Sequence, residues 1–209
     1  MRVPAPVLLI LILLMGCGQQ NEQRPETRDA AIDTTAVIAE GQKITQAAFQ
    51  TLSSNLKQAM GEGGVEHAVQ FCNIEAMPLT DSLATNFGVE LRRASHRPRN
   101  PDNRADSLEL ASINKYLEQI EQEAELKPLV YAAGDQAVYH APIRITNALC
   151  LSCHGKPGMD IQEDDLATIQ KLYPNDEATG FEFGELRGIW SVNFPEAFFV
   201  NKEMKSEPE

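Results

Sequence analysis

Two thiols three residues apart, with an imidazole on the very next residue, stand out in Cys150-Leu151-Ser152-Cys153-His154. On one turn of chain both sulfurs can reach the two vinyl groups along one porphyrin edge, while the following imidazole reaches the iron. The spacing predicts one covalently attached c-type haem, with Cys150 and Cys153 in thioether bonds and His154 as the proximal ligand. Two other chemistries use a CxxC pair. A structural zinc needs a fourth ligand beyond Cys150, Cys153 and His154, and the adjacent Cys-His chelate is strained. A thioredoxin-type dithiol opens a helix after a buried strand in a βαβ unit, and the sequence shows no such unit.

The sixth coordination position is open to several donors: Cys72, His67, His96, His140, Met60, Met77, Met159 and Met204. A lone histidine is more often hydrogen-bonded or at the surface than a ligand, and spacing does not choose among these. Cys72 has the strongest physical case. It is left over when the other three cysteines are assigned, it falls on the apolar face of a predicted helix, and a thiolate is a strong donor to ferric iron. An inert thiol acting as a small hydrophobe is the competing reading.

The fourth cysteine belongs to the N-terminus. Arg2 precedes an apolar run over residues 7–15, too short to span a bilayer but of signal-peptide length. Leu14-Met15-Gly16-Cys17 resembles a bacterial lipobox, which implies cleavage before Cys17 and diacylglycerol on its thiol. The expected organisation is a signal peptide over 1–16, a flexible tether over 17–35 and a domain over 36–203. Gly18 in place of Asp favours an outer-membrane lipoprotein facing the periplasm, with inner-membrane anchoring as the alternative. The formal charge is −12, and loss of Arg2 makes the mature chain one unit more negative. Nucleic acid and anionic membrane surface are therefore poor partners, and membrane contact is expected through the lipid anchor alone.

The elements that must position these residues follow from periodicity. An apolar stripe over 36–60 (Val37, Ile44, Ala48, Leu52, Leu56, Met60) predicts an amphipathic helix ended by Gly61-Glu62-Gly63-Gly64. A second helix over 65–76 carries Ala68, Val69, Cys72 and Ala76 on one face, limited by Pro78. After a short helical stretch around Leu83, a strand over 89–94 leads into an arginine-rich loop. Ser107 is expected to cap a helix reaching Ala124. Strands over 129–132 and 137–143 flank a Gly134-Asp135 turn, the haem motif sits on a short helix, and a helix covers 160–173. The clearest strand is 186–194, with Trp190, Val192 and Phe194 on one face and Arg187, Ile189 and Ser191 on the other. Helices followed by a hairpin-rich sheet give an α+β fold.

Taken together and in order, Phe71-Cys72-Asn73, Arg92-Arg93-Ala94-Ser95 with Arg97-Pro98-Arg99-Asn100-Pro101 and Asn103, the CxxCH-Gly155 segment, Tyr173-Pro174-Asn175-Asp176 with Ala178 and Gly180, and Gly184 to Val192 resemble a single-haem c-type cytochrome family of unknown function with a PAS-like fold. The resemblance spans about residues 40–200. It implies an antiparallel PAS-like sheet flanked by helices, and it places the axial ligands on His154 and Cys72. Ala94 and His96 stand where relatives often carry Thr and Lys.

Five arginines between Arg92 and Arg104, against Asp102, make a positive island in an acidic chain. Arg93 and Arg97 are expected to hold the haem propionates, since guanidinium matches carboxylate. The competing reading ties these arginines to loop carbonyls. Three classes of function follow: a redox or gas sensor, acting through a signalling partner and taking a small gas ligand; a low-potential periplasmic electron carrier with a redox partner; and, well behind, a peroxidase-like enzyme, for which a sixth ligand would block the distal site.

Overall fold

In a computed structural model, the described residues are 33–133 and 136–199. They form α1 (Thr34–Phe87), β1 (Glu90–Ala94), a 3-10 turn (Pro101–Asn103), α2 (Ser107–Glu121), β2 (Leu129–Ala133), β3 (Gln136–Arg144), α3 (Ala148–His154), α4 (Glu163–Leu172) and β4 (Leu186–Phe194). The expected α+β fold is present: a four-stranded antiparallel sheet in the order β1-β4-β3-β2, flanked by helices. The signal-peptide run, Cys17, the Gly134-Asp135 turn and Met204 lie outside the described residues. No helix among the described residues is long and apolar enough to cross a membrane.

Strand β4 alternates as its sequence predicts. Trp190, Val192 and Phe194 pack with Val37, Ile44, Ala48, Leu91 and Tyr139, the layer shared with α1. Ile189 joins Ala94, Ile113, Tyr116 and Leu186 in a second layer under α2. Gly41 lets α1 lie directly on the sheet, because a Cβ there would sit 2.4 Å from the Tyr139 ring. Close helix-sheet approach at this point requires glycine.

Three local expectations are corrected. The two predicted helices and the stretch near Leu83 are joined in α1, which is interrupted at Gly63 and Gly64 without an intervening loop. Gly64 has φ 68° and ψ −157°, a conformation essentially restricted to glycine, so the chain changes direction there and resumes its helix. Pro78 does not end the helix. The carbonyl deprived of a partner by its missing N–H belongs to Ile74, whose side chain is 65% exposed, and on such a solvent-facing turn water can serve as donor. The helix stops instead at Gly88, which is left-handed and closes the last turn by donating to the Thr85 carbonyl. In α2, Asp106 rather than Ser107 is the cap, and its carboxylate and that of Glu109 form a reciprocal capping box.

Candidate functional site

A cavity of about 310 Å³ opens between α1, the end of β1 and the segment running from Ile143 into α3. Both halves of α1 line it, with Leu56 and Met60 before the glycine break and Val69 and Cys72 after it. Cys150, Cys153 and His154 line it from α3, and Arg93, Arg99 and Arg187 complete the wall. Cys72 is thus brought to the CxxCH segment from about eighty residues away in sequence.

Helix α3 is built for its short length. The Asn147 side chain accepts from Cys150 N–H at 3.2 Å, and Gly155 N–H donates to the Leu151 carbonyl at 2.8 Å. Gly155 admits no side chain, since a Cβ would lie 2.4 Å from that of Asp160. Cys150 and Cys153 are free thiols. Among the described residues no group of three or more His, Cys, Asp or Glu side chains is placed to hold a metal ion.

His154 Nδ1 lies 2.8 Å from the Ala178 carbonyl. A carbonyl can only accept, so Nδ1 carries the proton and Nε2 keeps its lone pair. Arg187 Nε, 3.4 Å from Nδ1, is then a facing charge rather than a donor to that nitrogen. Burial first, then the charges of Arg187 and Arg99, hold the imidazole pKa well below its ordinary value, so the ring is neutral. The ring of Phe181 meets it edge to face at 6.3 Å. A neutral imidazole with Nε2 unprotonated is the state a metal requires.

Burial also pushes the Cys72 thiol up, while Arg93 and Arg99 act in the opposite direction. Arg93 lines the cavity with its Nε–H buried and without a hydrogen-bond partner. An unpaired buried donor costs about 1–3 kcal/mol, so this wall favours an anion. Arg187, pushed down to about 9 by burial and then by Arg99 and Arg93, marks the same excess of positive charge. Next to Cys72, Asn73 is hydrogen-bonded to Tyr173, which ties the two motifs together.

Arg97 is not brought to the cavity. It donates to the Glu177 and Thr179 carbonyls, and its guanidinium lies 4.0 Å above the Phe181 ring. The loop-tying role applies to it, while Arg99 and Arg187 take the wall positions that sequence reasoning did not single out. Both stood inside the ordered motifs, but nothing in their spacing separated them from Arg97. Of the other sixth-ligand candidates, Met60 lines the cavity. His140 is fully buried elsewhere, with its ring nitrogens 2.7 Å from Ser112 Oγ and 3.1 Å from Ser191 Oγ. His67 pairs with Glu62 at 3.4 Å, Met159 is 73% exposed, and His67, His96, Met77 and Met159 do not line the cavity.

The fold and this cavity define a class: an antiparallel sheet flanked by helices, with a CxxCH helix and a distant cysteine facing one chamber. The chain belongs to the Tll0287-like family, whose sequence model matches residues 20–195. Its fold is similar to the crystal structure of the cyanobacterial heme-protein Tll0287, with a TM-score of 0.55 and 23% identity over 75% of this chain and 96% of that one. No curated protein matches the chain.

Proposed function

We propose that this protein is a c-type haem protein with His154 and Cys72 as axial ligands, exported and lipid-anchored through Cys17, and that it senses redox state or a small gas. The observation that carries the reading is the convergence of Cys72, Cys150, Cys153 and His154 on one cavity. The neutral His154, the unpartnered Arg93 Nε and the cationic wall all fit an iron porphyrin with two propionates. Tll0287, whose fold this chain resembles, is a heme-protein, which supports this choice of cofactor.

When bound, haem supplies a one-electron couple. Cys150 and Cys153 would fix its position covalently, and His154 would donate from Nε2 while Nδ1–H stays on the Ala178 carbonyl. Cys72, as an anionic donor, would favour the ferric state and a low potential. Burial, which raises the Cys72 pKa, favours the neutral thiol over the thiolate, so Cys72 would be the more weakly held of the two ligands. Cys72 is then the ligand that a sensing role would use as its switch.

A low-potential electron carrier is the second reading. The exposed Met159 and Phe183, on segments bridged by the Lys156–Glu182 ion pair beside α3, favour it by offering apolar surface to a redox partner. Spectra of the reduced protein with carbon monoxide or nitric oxide separate the two. Gas binding on reduction supports sensing; a reduced form that stays six-coordinate and ignores gas overturns it, and fast exchange with a cytochrome then supports the carrier.

A further inference from the structure

The Ala178 carbonyl is where the proximal side of the site is fixed. It accepts from His154 Nδ1 at 2.8 Å, and Arg99 Nη2 directs a second donor at it from 3.4 Å. The neighbouring peptide is held as well, because Ala178 N–H donates to Asp176 Oδ1 at 2.8 Å. Asp176 in turn receives Arg99 in a fork, Nε to Oδ1 and Nη2 to Oδ2, each at 3.2 Å. The same guanidinium donates to the Cys153 carbonyl, one residue before the histidine. The side chains of Arg99 and Asp176 are 11% and 6% exposed, and Ala178 is fully buried. Water therefore has little access to replace any of these bonds.

Resting on the haem reading above, we infer that Asp176 and Arg99 are positioning residues for the proximal ligand: they fix the Ala178 peptide and, through it, the tautomer, orientation and donor strength of His154. The physical link is that an imidazole donates more strongly from Nε2 the more strongly its Nδ1–H is drawn by its acceptor. Arg99 Nη2 stands 3.4 Å from the same carbonyl, but its two hydrogens have nearer acceptors in the Cys153 carbonyl and Asp176 Oδ2, so its nearby charge, not a full hydrogen bond, moderates that pull. Asp176 anchors both Arg99 and the peptide N–H, so its oxygen sets where the carbonyl points. A pair that merely stapled the 176–181 loop to the arginine loop would lend stability without affecting the histidine.

The test uses the holoprotein and reads the ferric electron paramagnetic resonance signal together with the reduction potential. Asp176→Asn keeps an oxygen for Ala178 N–H, whereas Asp176→Ala removes it. The expected result is a shifted or split low-spin signal in Asp176→Ala and a smaller shift in Asp176→Asn, which keeps an oxygen for Ala178 N–H but loses one arm of the fork, and whose potential rises because a negative charge is gone. If Asp176→Ala does not accumulate, Arg99→Lys, which keeps the charge and loses the fork, is expected to shift the signal in the same way. Wild-type signals in every variant that carries haem overturn the inference alone. Wild-type protein without covalent haem overturns the haem reading and this one with it.

Discussion

Arg93 and Arg97 stand four residues apart in sequence but differ in role: one faces the cavity with an unpaired Nε–H, the other spends its donors on loop carbonyls. Arg93→Ala should therefore lower the reduction potential, because a buried positive charge near the iron is lost. Arg97→Ala should cost about 1–3 kcal/mol of folding stability, readable by urea unfolding. A second residue-scale prediction concerns His140, whose pKa burial pushes down to about 4. Above pH 6.5 the imidazole is neutral folded or unfolded and adds no pH dependence; below it the unfolded chain takes up the proton first. Stability should fall by about 3 kcal/mol from pH 6.5 to 4 and then level, and His140→Asn should flatten that fall. The CxxCH motif and its place on a short helix were legible at this scale because they are local. The Arg99–Asp176 fork was not, since its partners are 77 residues apart and meet through the fold.

At the scale of elements, period-2 alternation identified β4 and its two faces, and the stripe of apolar residues identified both halves of α1. What periodicity could not reveal was that two helices could abut through a glycine pair and that Pro78 could be absorbed on an exposed turn. Three glycines of α1 test this. Gly64→Ala forces a side chain into a positive-φ conformation and should destabilise by about 1–3 kcal/mol. Gly41→Val drives into the Tyr139 ring, with a cost of about 1–3 kcal/mol. Gly61→Ala meets nothing within 4 Å and lies on regular helix, so it should stabilise by about 0.5–1 kcal/mol. Thermal melts of the three variants check the series, and a destabilised Gly61→Ala would contradict the placement of the break.

For the whole molecule, the fold joins three arms of the motif set that are remote in sequence: the Cys72 helix, the arginine loop after β1 and the α3 segment all border one chamber. The resemblance of ordered motifs anticipated the antiparallel sheet flanked by helices, while the particular wall residues needed the packed structure. The proposed anchor predicts that Cys17→Ser moves the protein from the membrane fraction to the soluble one, measured by fractionation and loss of lipid mass. The strongly acidic balance, −12, predicts that association with a cationic redox or signalling partner weakens steeply as salt rises. The central claim, haem held between His154 and Cys72, is tested most directly by the ferric absorption spectrum of the purified holoprotein beside Cys72→Ser. The account predicts covalent haem in both, a six-coordinate low-spin thiolate spectrum in the wild type, and its loss in the variant. An unchanged ferric spectrum in Cys72→Ser would contradict it.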